Sequence, residues 1–156
     1  MLHIVGIGEY LISKNSEDVL KTYALNSCVA ITIYLPEAKI LGMAHVVLPD
    51  SKINPKKSKL SPGYFADTAV AVLLDSLYGF AGFRSDLFII HLFGGVRGSW
   101  EKDYFNVGRR NLAAIHSILN HRQLPYDSTE TGGNWGRTVA MDVATGTAII
   151  TKTPIF

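Results

Sequence analysis

Apolar residues recur along the chain at two different periods. From Gly63 to about Phe80, the residues Phe65, Ala69, Val72, Leu73 and Leu77 fall three and four positions apart, behind Pro62 and ahead of Gly79 and Gly82. That is the spacing of one helix face with its usual punctuation. A second helical stretch runs from about Val107 to His121, with Leu112, Ile115, Ile118 and Leu119 as its stripe, Asn106 placed as an N-cap and Pro125 shortly after it. Elsewhere β-branched and aromatic residues dominate. His3 to Ile7, Val29 to Leu35, Ile40 to Leu48, Leu87 to Phe93, Thr138 to Val143 and Thr147 to Thr151 read as strands, the last two joined by a turn at Ala144-Thr145-Gly146. Strands at both ends around two central helices fit neither an all-β fold nor a regular βαβ repeat, so the pattern predicts an α+β layered sandwich with mixed sheets. Asp50 to Pro62, with Lys52, Lys56, Lys57 and Lys59, reads as an exposed loop, either a solvated connector or a docking loop for an acidic partner helix. Gly94-Gly95 and Thr131-Gly132-Gly133-Asn134 are loops with unusual backbone freedom or close approach to a ligand.

Length and composition narrow the picture. The chain has 156 residues, which at about 150 residues per domain predicts a single domain over 1–156 with a proper core. It is 47% hydrophobic and 18% charged, with a net charge of +2, so neither wholesale disorder nor strong attraction to phosphate backbones is expected. The N-terminal segment lacks the basic stretch and apolar core of a signal peptide, and the longest apolar run, Cys28 to Leu35, is far shorter than a membrane span. A soluble cytoplasmic protein is expected.

The single cysteine excludes an intramolecular disulfide and the C-x-x-C metal and redox motifs. Cys28 stands where the polar stretch Asn26-Ser27 enters the apolar run, a strand mouth at which a thiol is partly exposed; a free cysteine ordinarily fills space in a core. A nucleophilic thiol needs a base, and five histidines are available. His3 is terminal, His116 and His121 lie on the second helix where a solvated or helix-end role suffices, and His91 reads as a core histidine within its strand. His45 lies on the strand that follows the Cys28 strand, after the turn Pro36-Glu37-Ala38-Lys39. If Leu35 pairs with Ile40, Cys28 faces Val47 and His45 faces Ala30. The two are then diagonal neighbours on one face, with Cβ atoms up to ~7 to 8 Å apart. A two-residue loop at Pro36-Glu37 would set them directly opposite, and a one-residue slip from either register would put them on opposite faces.

Five ordered blocks around these residues resemble one family. Thr22-Tyr23-Ala24-Leu25-Asn26-Ser27-Cys28, Met43-Ala44-His45-Val46-Val47-Leu48-Pro49-Asp50-Ser51, Tyr64-Phe65-Ala66-Asp67-Thr68-Ala69, Asn106-Val107-Gly108-Arg109-Arg110-Asn111 and Thr131-Gly132-Gly133-Asn134 are similar to the chemoreceptor glutamine deamidases, CheD. The resemblance implies a cysteine hydrolase of β/β/α type, with two main helices packed on one side of mixed sheets, that converts glutamines of methyl-accepting chemotaxis receptors to glutamate. It implies Cys28 as nucleophile, His45 as general base and Thr22 as the residue that orients the histidine, with no metal or organic cofactor. It also implies a CheC-type phosphatase as partner. Backbone N–H groups around Ser27 and Cys28, with the Asn26 amide, are candidates for the oxyanion and substrate contacts.

The chain departs from the family at one place. The family has Leu-Gly-Leu-Gly-Ser-Cys where this chain has Tyr23-Ala24-Leu25-Asn26-Ser27-Cys28, and glycine, unlike alanine, takes positive φ without strain. That departure keeps a second reading open, in which the protein acts chiefly by binding and activating a CheC-type phosphatase. Ester hydrolysis at the same site and a small-molecule amidase stand behind it. Asn134 and Arg137 read as a loop near the site or a substrate contact, and Arg109-Arg110 as charges facing solvent or an acidic receptor helix.

Overall fold

The run Val29 to Leu35 and the strand after it are buried at every position, which a strand achieves only when both of its faces are covered. In this structure, a computed structural model describing residues 1–82, 84–97 and 105–155, those two strands are the centre of a five-stranded sheet. The elements in chain order are β1 (Leu2–Ile4), β2 (Tyr10–Ser13), β3 (Val19–Leu25), β4 (Val29–Leu35), β5 (Ile40–Val46), α1 (Pro55–Leu60), α2 (Ala66–Ala81), β6 (Ile89–Gly94), α3 (Val107–His121), β7 (Asp127–Thr131), β8 (Trp135–Asp142) and β9 (Ala148–Pro154). One sheet has the order β2-β5-β4-β6-β7 and the other β1-β3-β8-β9. Both are mixed, since β6–β7 and β1–β3 are parallel while the remaining pairs are antiparallel.

Alternation along β4 and β5 divides the interior into two cores. Val29, Ile31, Ile33, Leu35, Ile40, Ala44 and Val46 join Leu73, Leu74 and Leu77 of α2 and Ile115 and Leu119 of α3 in a core between sheet and helices. Gly42 of β5 lets α2 approach closely, because a Cβ there would sit 3.0 Å from the Leu73 side chain. The opposite face, with Ala30, Tyr34, Leu41 and Met43, packs on Leu20, Leu25, Val139 and Met141 of the second sheet. The result is sheet on sheet on helices, the layered α+β arrangement that the sequence pattern predicts.

Several boundaries differ from expectation, each for a local reason. The first strand ends at Ile4 rather than Ile7. The expected loop Asp50 to Pro62 contains α1, which buries none of its residues; Pro55 opens it and the Asn54 side chain accepts a hydrogen bond from the Lys57 amide at 3.1 Å, so proline here starts a helix. The helix expected from Gly63 starts at Ala66, because Pro62–Tyr64 forms a 3-10 turn first, and it stops at Gly82, which is left-handed with φ 58°. Asn106 precedes α3 but is itself left-handed, and its side chain caps nothing. Strands β2, β3 and β7 were not expected. β7 reads Asp-Ser-Thr-Glu-Thr and has no apolar signal, and β3 is broken by an irregularity between Thr22 and Leu25 that spoils its alternation. Among the described residues no helix is long and apolar enough to cross a membrane.

Candidate active site

Cys28 lies one residue before β4, half-buried, with its side chain against the core between the sheets. The hairpin register pairs Leu35 with Ile40 and Ala30 with His45, the first of the registers weighed above, so Cys28 and His45 share that inter-sheet face as diagonal neighbours. His45 is 1% exposed. Its ring is met from the second sheet by Thr22, whose Oγ1 is 2.7 Å from His45 Nδ1 and 2.7 Å from the backbone oxygen of Val5. The structure thus joins Thr22 to His45 across the two sheets and sets Cys28 on the same face as His45.

These distances set the proton positions. A hydroxyl has one proton, and the carbonyl of Val5 can only accept it. Toward His45 the Thr22 oxygen is therefore the acceptor, and Nδ1 carries a hydrogen. Nε2 is left with its lone pair and, among the described residues, has no hydrogen-bond partner. Burial pulls the His45 pKa down to about 4 and pushes the Cys28 thiol up. At neutral pH both groups are uncharged: a thiol and an imidazole whose free nitrogen can accept a proton.

The backbone around Cys28 is held by glycines and by one buried side chain. Gly95 N–H donates to the Cys28 carbonyl at 2.9 Å, and Val96 N–H to that of Asn26 at 2.6 Å. Gly94 has φ 96°, and a Cβ there would collide with the Cys28 carbonyl oxygen. Among the described residues, the amides of Ser27 and Cys28 donate to no protein acceptor. Asn26 is exposed, and its side-chain oxygen lies over Gly136. The positive φ in this loop falls on Ala24, at 54°, and not on Asn26; alanine there costs about 1 kcal/mol or more of strain.

Other candidates have structural partners. Arg137 is almost wholly buried and donates to the carbonyls of Gly132 at 3.0 Å and Trp135 at 3.1 Å, with Glu130 at 3.3 Å. It anchors the glycine loop, which in turn meets Gly94 through the Gly132 amide. Arg109 and Arg110 face solvent. His3 pairs with Asp18 at 3.0 Å. His91 is not a core histidine: it is partly exposed, stacks on Phe93, and its Nδ1 has no partner among the described residues. His116 is stacked on Tyr126, with ring centroids 5.0 Å apart, rather than solvated.

Sequence reasoning missed Asn111 of α3. It is 0% exposed, and its Nδ2 donates to the backbone oxygens of Ser27 at 3.0 Å and Val47 at 2.9 Å. The available signal was an asparagine four and eight positions before Ile115 and Leu119, on the buried side of the helix.

A family profile described as CheD chemotactic sensory transduction matches residues 47–152. A protein of Syntrophotalea carbinolica named probable chemoreceptor glutamine deamidase CheD is 42% identical over 144 residues, 92% of this chain and 89% of that one. One from Syntrophus aciditrophicus, named probable chemoreceptor glutamine deamidase CheD 1, is 33% identical over 147 residues, 94% of this chain and 91% of its own. The Thermotoga maritima protein named chemoreceptor glutamine deamidase CheD is 36% identical over 152 residues, 97% of this chain and 92% of its own. With a profile over more than half the chain and relatives at this identity over almost all of it, the chain belongs to the CheD family of chemoreceptor glutamine deamidases, hydrolases of a carboxamide C–N bond.

Proposed function

We propose that this protein deamidates glutamine side chains of methyl-accepting chemotaxis receptors, with Cys28 as nucleophile, His45 as general base and Thr22 as the residue that orients it. The observation that carries the reading is the bond from His45 Nδ1 to Thr22, which leaves a bare Nε2 on the face that Cys28 shares. As the glutamine carbonyl approaches, His45 Nε2 takes the thiol proton and sulfur bonds to the carbonyl carbon. The amides of Ser27 and Cys28, which have no acceptor among the described residues, are suited to the oxyanion, a contribution of roughly 3 to 4 kcal/mol per donor. The C–N bond then breaks as the imidazolium returns its proton to the departing nitrogen, which leaves as ammonia. Water, deprotonated by the same nitrogen, attacks the thioester; the C–S bond breaks, the proton returns to sulfur and a glutamate side chain remains.

Because both groups are neutral at rest, charge separates only as the tetrahedral intermediate forms, where the oxyanion contacts offset it. The reading as an activator of a CheC-type phosphatase drew on the altered loop before Cys28. Ala24 takes the left-handed conformation at that loop, which supports retention of the nucleophile's geometry and so favours the enzyme; binding of a CheC-type phosphatase is compatible with it. Ammonia release from a receptor fragment, with intact-mass detection of the amide-to-acid change, tests the proposal. Wild type should produce both signals and Cys28→Ala neither; undiminished release by Cys28→Ala would overturn the scheme.

A further inference from the structure

The β4–β5 ladder ends at the pair Val29 and Val46. His45 is inside it, whereas Cys28 is one step beyond, where strand pairing no longer ties the two segments together. Asn111 bridges that gap from the helix layer, with Nδ2 donating to the oxygen of Ser27, the residue before Cys28, and to that of Val47, two residues after His45. Both partners are carbonyl oxygens, so the group facing them has to be the amide nitrogen, and both of its hydrogens are used. Its own Oδ1 is buried without a partner among the described residues. An apolar side chain would continue the buried stripe with Ile115 and Leu119 and leave no such orphan. The first turn of α3 is seated close by: a Cβ at Gly108 would collide with the backbone of Gly95 and Val96, which hold the other side of the Cys28 loop.

We propose that Asn111 is a positioning residue that sets the separation of Cys28 and His45 by clamping the two backbone segments where their strand pairing stops. The inference rests on the Cys28–His45 reading, and its test works without the receptor. Cys28 is the only cysteine, so its alkylation by iodoacetamide reports its reactivity without ambiguity. In the wild-type background His45→Gln should slow alkylation at pH 7 by at least about tenfold. In an Asn111→Ala background the same change should alter the rate by no more than about twofold, because the pair is already uncoupled. Ile115→Ala, a cavity one turn along the same helix face, should keep the full His45 dependence. Asn111→Ser, whose hydroxyl is too short to span both carbonyls, should behave like Asn111→Ala and serves if that variant does not fold. On a receptor fragment, kcat of Asn111→Ala should fall about 100-fold with little change in KM. Full His45 dependence in both Asn111 variants would overturn the clamp. Loss of His45 dependence in wild type itself would overturn the underlying dyad, and the clamp with it.

Discussion

On the face of the five-stranded sheet that meets the helices, β4 and β5 present Val29, Ile31, Ile33, Leu35, Ile40, Ala44 and Val46, hydrocarbon without interruption. On the other face the same two strands, with the residue before β4, present Cys28, Ala30, Thr32, Tyr34, Leu41, Met43 and His45. There Thr32 bonds within its own sheet, to the His91 carbonyl, while two other buried polar groups reach across toward the second sheet. Tyr34 donates to the Val143 carbonyl at 2.8 Å, and His45 meets Thr22. Polar atoms between the sheets thus tie one layer to the other, and the His45 nitrogen without a partner among the described residues is the one that the proposed chemistry uses. The helix face supplies rigidity through close packing, whereas the inter-sheet face trades some of that for directed hydrogen bonds.

If the two faces divide labour in this way, changes on each should read out differently. The largest effect is expected on the helix side. Leu73→Ala opens a cavity against Gly42 and should cost about 2 to 5 kcal/mol in denaturant melts. Below its unfolding temperature kcat should be close to wild type; a kcat loss at full native population would break the comparison. On the inter-sheet side the signature is acid sensitivity. Unfolded histidine titrates near 6.5 and folded His45 at about 4, so between those values the unfolded chain binds the extra proton. Stability contributed by neutral His45 is present above pH 6.5 and lost as pH falls to about 4, on the order of 3 kcal/mol. Chemical melts across that range, compared with His45→Gln, should show the variant losing that part of the slope; an unchanged slope would contradict the buried neutral ring.

Thr22→Val keeps the shape but removes the acceptor for Nδ1 and the donor to Val5. It should lower kcat about 10- to 100-fold with KM nearly unchanged, as losses of orienting partners generally do. An effect confined to stability would reduce Thr22 to an inter-sheet tie. The smallest effect is expected at Ala24, where φ is 54°. Ala24→Gly relieves the left-handed strain but frees the unfolded chain, so a net gain of about 0.5 kcal/mol is expected in thermal melts. A loss instead would mean that the Ala24 methyl contributes packing beyond its strain.

The legible parts of this fold are those whose signal is local. The α3 stripe announces itself over fifteen residues, and its observed bounds, Val107–His121, are the expected ones. The apolar runs of β4 and β5 and the turn between them identify the hairpin but leave the parity of its register open. β7 was invisible because an edge strand of polar residues carries no period, and β3 because two residues near its end step out of alternation. Asn106 looked like a cap, but its backbone is left-handed and its side chain makes no cap hydrogen bond. Asn111 was passed over because an asparagine on a helix is ordinarily solvent-facing, and its burial follows from how α3 lies across the sheet.

The sequence by itself allowed Cys28 and His45 to share one face, in either of two registers, and the structure selected the one that pairs Leu35 with Ile40. It also carried the family resemblance. The resemblance pointed to Thr22 as the partner of His45, but tertiary structure alone decided how: that it reaches the ring from a strand of the other sheet and dictates its tautomer, and that Asn111, far along the chain, closes the backbone around Cys28. The physical reason is that periodicity records which way a side chain points from its own element. Contacts between elements depend on how the layers stack, and that is a property of the packed cores on both sides of the sheet.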